Sequence, residues 1–343
     1  MPYGYHTILL SNQGLLAFGG KFQPKPDPPE SPKSPEVSWD GPRLVKVDWG
    51  RSHSLLLDEE GGVWEAGTPG KVYGPFCKIP DLPVICDIAA GYDTSAALDT
   101  DGGLWAWGRQ SECGWVSPSP KLLLGLPSVT KVACGSGALI AEASNGTLWI
   151  MRPQEDKPKC SSTPIPVHIE GRSPGPLRML CALFNGIVLV DSEGTVFESK
   201  SCSEEQYPPV GASGFTKVEN VPRMLSGSSG TYNLYLVDED RQLWGSTVGK
   251  SLFSPFHLIR IEGEISHVVA GGYHCMVHLS DGSMKVFGDN RYNQFGCKSG
   301  KGLSPFRPIP PYSRQKSANS AVNIEEVVSN LGKRSFDTFH SNE

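Results

Sequence analysis

Residues 84–108 read VICDIAAGYDTSAALDTDGGLWAWG, and this stretch decides the fold. Val84, Ile85, Ile88 and Ala89 form an apolar run that ends at Gly91. Ser95-Ala96-Ala97-Leu98 is a second short run, and Leu104-Trp105-Ala106-Trp107, closed by Gly108, is a third. Between the last two, Asp99-Thr100-Asp101-Gly102-Gly103 is turn chemistry: glycine reaches positive φ without steric cost, and aspartate bonds nearby backbone. Short strands on either side of such a turn predict a β-hairpin. Leu44–Gly67, Val129–Met151, Leu177–Ser199, Met224–Gly245 and Ile265–Gly288 repeat the pattern. The place of Gly102 is taken in the other copies by Gln13, Gly61, Gly146, Gly194, Arg241 and Gly282, at intervals of 48, 41, 44, 48, 47 and 41. A period in this range marks an array of units too small to bury a core alone. Three or four strands per copy predict a propeller blade.

The expectation is an all-β, seven-bladed β-propeller over residues 1–331, followed by a polar tail, 332–343. The first and last copies are incomplete and complementary. The chain opens at Gly4-Tyr5-His6-Thr7-Ile8-Leu9-Leu10 with no apolar strand before it, and ends on Ile324-Glu325-Glu326-Val327-Val328 with no hairpin after it. Pairing these termini would make one blade and remove two open sheet edges. Aromatics recur at one repeat position (Trp64, Trp105, Trp149, Phe197, Trp244), with Phe18, Trp107 and Phe287 two residues further on in their copies. A ring recurring at one place predicts filling of the gap between neighbouring blades.

At Val268-Val269-Ala270-Gly271-Gly272-Tyr273-His274 and Val286-Phe287-Gly288-Asp289-Asn290-Arg291-Tyr292-Asn293-Gln294-Phe295-Gly296 the chain resembles the regulator of chromosome condensation repeat family. Gly50-Arg51-Ser52-His53 keeps the glycine-x-x-histidine spacing, and Gly4-Tyr5-His6 shortens it by one. The resemblance is strong in the first three copies and the last, and weak between about 150 and 250, where Ala138 and Gly186 stand in place of histidine. It implies a seven-bladed propeller. It also implies that His6, His53 and His274 look towards the central shaft, either bonding a neighbouring blade's backbone or serving a function at the shaft mouth. Gly91-Tyr92-Asp93-Thr94 puts Asp93 near the same place.

The 343-residue chain is 38% hydrophobic, with a formal charge of −5 and a pI near 5.9. A mildly acidic chain is a poor general binder of phosphate backbones. The family's founding member binds chromatin partly through a basic tail, and here only Lys333-Arg334 stand near the end, which argues against nucleic acid or chromatin as a partner. No apolar run reaches membrane-spanning length and no secretory signal precedes the first strand, so no membrane is expected. Nine cysteines with no CxxC pair predict free thiols in a reducing compartment, the cytoplasm, with the nucleus as the alternative; Cys86, Cys134, Cys181 and Cys275 fall in strands and are expected buried. A loop over 21–40 carries six prolines and two Ser-Pro steps, a tolerated insertion or a docking or phosphorylation segment. Asn145-Gly146-Thr147 reads as a hairpin turn.

No nucleophile elbow, phosphate-binding loop or metal-ligand pair is present, so neither catalytic residues, a cofactor nor a metal is expected. The primary reading is a monomeric, non-catalytic protein–protein interaction propeller acting as scaffold or adaptor. Its candidate partner-binding or shaft-facing residues are His6, His53, Asp93, His274, Trp115, Asn290, Arg291 and Tyr292, with aromatic and arginine anchors supplying most of the binding energy. The alternative, implied by the family, is a guanine-nucleotide exchange factor for a small GTPase, acting by differential binding of the nucleotide-free state. Removing residues 322–343 is expected to open the ring and yield an aggregating or unfolded product. A soluble truncated protein with unchanged melting would contradict closure through the termini.

Overall fold

The computed structural model describes residues 6–11, 14–18, 39, 41–50, 53–67, 76–110, 115–135, 138–151, 164–173, 175–183, 186–199, 215–230, 233–247, 254–271, 274–288, 304–308 and 326–330. Every regular element among them is a strand. The first sheet holds β1 (His6–Ser11) and β2 (Gly14–Phe18). The second holds β3 (Leu44–Trp49), β4 (Ser54–Asp58), β5 (Val63–Ala66) and β6 (Cys77–Lys78). The third holds β7 (Ile85–Ala90), β8 (Thr94–Asp99), β9 (Leu104–Gln110) and β10 (Trp115–Leu122). The fourth comprises β11 (Val129–Cys134), β12 (Leu139–Ala143), β13 (Leu148–Met151) and β14 (Ile165–Val167). The fifth comprises β15 (Met179–Ala182), β16 (Ile187–Val190), β17 (Val196–Ser199) and β18 (Phe215–Lys217). The sixth has β19 (Met224–Ser229), β20 (Asn233–Asp238), β21 (Leu243–Thr247) and β22 (His257–Ile259). The seventh has β23 (Ile265–Ala270), β24 (His274–Leu279), β25 (Met284–Gly288) and β26 (Ser304–Pro308), and β27 (Glu326–Asn330) ends the series.

Six sheets are complete four-strand meanders, and the one shared by the termini has three strands in the order β2-β1-β27. Seven equal blades were expected, so the terminal blade is the smaller one among the described residues. Its closing strand pairs antiparallel with β1, Ile8 opposite Val328, two residues further along the chain than the sequence pattern placed it. The first strands touch in the order β3, β7, β11, β15, β19, β23, β27 and back to β3, which makes the assembly a ring with these strands at its centre. The fold is a β-propeller.

The cores lie between sheets. Leu55, Leu57 and Val63 of the second sheet pack with Ile85, Ile88, Ala97 and Trp107 of the third. Ala96, Leu98 and Leu104 on the third sheet's other face pack with Val132, Leu139 and Ala141 of the fourth. The alternation of side chains along each strand makes this two-sided burial automatic. Trp105, Trp149, Trp244 and Phe197 all join these clusters, as a gap-filling role requires.

Each hairpin is held by a second device. The Asp58 carboxylate accepts the backbone N–H of Glu60 and Gly62 and the indole N–H of Trp64 at 2.8 Å. Asp99 does the same for Asp101, Gly103 and Trp105, and Asp238 for Asp240, Gln242 and Trp244. Asp191, whose copy has Phe197 in place of tryptophan, takes the backbone N–H of Ser173 instead. The turn residue between them sits at positive φ, and Arg241 holds that conformation at φ 59 where five other copies use glycine. In the fourth sheet Ala143 replaces the aspartate, and the indole N–H of Trp149 is buried without a partner. Asn145 there serves its own turn, accepting the Thr147 N–H. Behind it the buried Glu142 accepts Leu177 N–H and Arg172 Nη2, tying the long 168–178 link to the fourth sheet.

Of the cysteines expected buried, Cys134, Cys181 and Cys275 are, and Cys86 is exposed. Cys86 falls between Ile85 and Asp87, where the β7–β8 register shifts, and the bulge turns its side chain off the packed face. The 21–40 loop, apart from Trp39, and the 332–343 tail lie outside the described residues.

Substituting Asp99→Ala strips three buried or half-buried donors of their acceptor and is expected to cost about 2–4 kcal/mol in denaturant unfolding. Ala143→Asp, which supplies Trp149 with the missing acceptor, is expected to add about 1 kcal/mol. Unchanged midpoints in both would remove the staple from this account.

Candidate functional site

The ring has two unlike faces. One carries the stapled hairpins and the links from each fourth strand to the next sheet. Three of these links, 79–84, 123–128 and 218–223, are six residues long. They share a left-handed residue followed by an apolar residue and proline: Asp81-Leu82-Pro83, Gly125-Leu126-Pro127 and Asn220-Val221-Pro222. The opposite face, here the crown, carries the turns between first and second strands and the connections between third and fourth strands. Those connections run from 4 residues at 111–114 to 15 residues at 200–214 and 289–303. A constant face and a variable face are what a rigid scaffold with adaptable loops offers.

Every residue singled out from the sequence belongs to the crown end. Asp93 is in the β7–β8 turn, His53 and His274 close the equivalent turns in the second and seventh sheets, His6 and Trp115 begin β1 and β10, and Asn290, Arg291 and Tyr292 belong to the β25–β26 connection. The side chains of His6 and Trp115, and residues 290–292 altogether, lie outside what is described.

The crown turns are built alike. Gly50 donates its N–H to His53 O at 2.9 Å, and Gly91–Thr94, Gly135–Ala138, Gly230–Asn233 and Gly271–His274 repeat the bond. Thr94 therefore holds the histidine place in the third sheet, and Asp93 precedes it, half-buried. The imidazoles of His53 and His274 fold back over Gly50 and Gly271, where a Cβ would collide with the ring. Gly91 likewise lies under Gly135 O of the next turn, and Tyr92 donates to that oxygen at 3.2 Å. The glycine-x-x-histidine spacing is thus a packing device. Both ring nitrogens of His53 are buried without a hydrogen-bond partner, contrary to the expected bond to a neighbouring blade, and burial pushes its pKa down to about 4. It stays a neutral wedge at neutral pH.

Towards the centre, the first strands brace one another. Asp48 accepts the Ala90 N–H of the next sheet at 2.9 Å, and Ser228 accepts the Ala270 N–H at 3.0 Å, one repeat apart in each case. Lys46 pairs with Asp87 across the same junction as Asp48. Burial pushes Asp48 up to about 6 against the pull of Lys46. Sequence reading did not find Asp48, although its spacing of two residues before the turn glycine is the same as that of Ser228. No group of three or more metal-ligating side chains occurs among the described residues.

Residues 85–114 and 265–294 match the Regulator of chromosome condensation (RCC1) repeat. These are the third sheet and the seventh, where the glycine turns and hairpins are most regular. No curated protein sequence matches. Among solved structures, Prp20p from Saccharomyces cerevisiae is similar at a TM-score of 0.66 and 15% identity over 91% of this chain and 87% of that one. Yeast RCC1 (Prp20) bound to Kap60 gives 0.64 and 14% over 79% and 75%, and human WBSCR16 gives 0.64 and 13% over 90% and 94%. The fold and its turns define a propeller of repeated four-strand sheets. The chain is a divergent member of the regulator of chromosome condensation repeat family.

Asp48 tests the central bracing. Its folded pKa near 6 stands above the ordinary 3.8, so the unfolded chain loses this proton first and the group weakens the fold progressively as pH rises from about 4 to 6. Asp48→Asn keeps an acceptor for Ala90. It is expected to raise the melting temperature at pH 7.5, to leave it unchanged at pH 4, and to flatten the slope between. An equal change at both pH values would refute this assignment.

Proposed function

We propose that this propeller is a non-catalytic interaction module, a scaffold or adaptor, whose protein partner docks on the crown face. The observation that carries this reading is the confinement of length variation to one face. The opposite face is fixed by aspartate staples and mostly short links, whereas the crown connections differ several-fold in length. The anchors suggested by sequence, Trp115, Arg291 and Tyr292, belong to that end, and aromatic and arginine side chains are the usual energetic centres of protein interfaces.

A second reading is guanine-nucleotide exchange on a small GTPase. It is favoured by the likeness to Prp20p, a structure described together with that protein's binding properties towards Gsp1p and histones. Exchange of this kind needs a segment that reaches into the partner, and the 200–214 and 289–303 connections are the longest available on the crown.

Affinity capture with the purified chain separates the two, run in excess GTP and in parallel in EDTA. The scaffold reading expects the same partner in both lanes, lost in an Arg291→Ala/Tyr292→Ala variant and kept in Glu239→Ala on the opposite face. A small GTPase enriched only in EDTA would establish the exchange reading instead, and loss through Glu239→Ala would move the site to the other face.

A further inference from the structure

The seam that closes the ring differs chemically from the other seams. Cys275, Val277 and Leu279 of β24 pack into the cluster shared with the sixth sheet, as do Val268 and Ala270 of β23. Alternation sends His274, Met276 and His278, and on β23 His267 and Val269, to the opposite side, towards the first sheet. β27 packs against both β23 and β24. The surface that receives the closing strand therefore carries three of the chain's eight histidines.

Two of these form a cross-strand pair. His267 stands opposite His278, and their rings stack with centroids 4.0 Å apart and 12° between planes. The Nε2 atoms of both are buried without a hydrogen-bond partner. The repeat shows what this place ordinarily holds. In the fourth sheet the same two positions are Lys131 and Glu142, an ion pair at 3.5 Å. In the second and third sheets the position of His278 is leucine, Leu57 and Leu98. The seventh sheet alone among these puts two groups there that would acquire like charge in acid.

We propose that this seam is an acid-sensitive latch: protonation of the stacked His267–His278 pair drives β27 off the seventh sheet and opens the ring. Two imidazolium rings at stacking distance repel, and their buried Nε2 donors would find no acceptor. The other ionisable residues of the elements around the pair are Glu264 ahead of β23, His274 on β24, Lys285 on β25, His6 on β1 and Glu326 on β27. Lys285 is engaged with the Glu262 carbonyl. Glu326 and Glu264 are the residues whose charge would favour a protonated ring, so tightening of the seam in acid is the opposite outcome.

Burial, with His267 beside it, pushes His278 down to about 4, and burial lowers His267 as well. A histidine held below its free value keeps the closed state at full strength above pH 6.5 and weakens it as pH falls towards 4, because the opened chain takes up the proton first. With those two values for His278 alone, the open population rises about 30-fold between pH 7.5 and 5.

Hydrogen exchange of the full chain, corrected for intrinsic rates, reads this directly. Residues 326–330 are expected to lose protection about 30-fold on going from pH 7.5 to 5, while 129–134, the equivalent strand of the fourth sheet, changes by less than about 3-fold. His278→Leu, the residue of the second and third sheets, is expected to abolish the difference. His267→Met, the residue of the fifth sheet at Met179, is the second variant, so that a failure of one to fold leaves the other decisive. Equal loss at both strands in the unsubstituted chain, a pH effect that survives in the folded variants, or greater protection in acid would each overturn the latch.

Discussion

Two-sided burial is the constraint on which the molecule rests. A sheet such as β7–β10 shares one apolar face with the second sheet and the other with the fourth, and holds no core between strands of its own. Each sheet is therefore as stable as its neighbours allow. Removing any one would expose two clusters, and a row of sheets without closure would leave two at its ends. The ring, with β27 delivered from the far end of the chain to β1, answers that constraint.

Within this frame the local and the cooperative parts are separable. The aspartate staples act over six residues and need no other sheet: Asp58 reaches Trp64, Asp99 reaches Trp105 and Asp238 reaches Trp244. They fix the hairpin and at the same time hold the indole where it can fill the inter-sheet gap. Where one half is missing the protein improvises. Asp191 turns to the Ser173 backbone because Phe197 has no N–H to give, whereas Trp149 keeps its ring in the cluster with its N–H unanswered. The crown turns are the cooperative counterpart, each glycine lying beneath the next sheet's turn.

The strands and hairpins were legible because their signals are local: apolar alternation, a positive-φ residue at Gly61, Gly102 and Gly146, and an aromatic three residues on. Closure by the termini was legible because two incomplete copies add to one. What escaped the sequence depends on residues about one repeat apart. Asp48 reaches Ala90, and Ser228 reaches Ala270, only because strands 42 residues distant lie side by side. The exposure of Cys86 follows from a bulge that no alternation pattern marks. The histidines of the glycine-x-x-histidine turns looked functional by recurrence, and for His53 and His274 recurrence reflects a ring resting on a glycine. The staple, by contrast, could have been found: aspartate and tryptophan six apart recur in three copies.

The pairing of β1 with β27 also has a kinetic meaning. Every other strand pair joins neighbours in the chain, but His6 meets Asn330 across more than 300 residues. Bringing together ends that far apart costs about 3 kcal/mol more loop entropy than closing a ten-residue hairpin. Contacts of that sequence separation form late. Six sheets can thus assemble in order as the chain emerges, while the first waits with its inner edge unpaired until the last few residues arrive. The chain spends the interval as an open arc, and its vulnerability to strand-mediated association is concentrated in that one period of its synthesis.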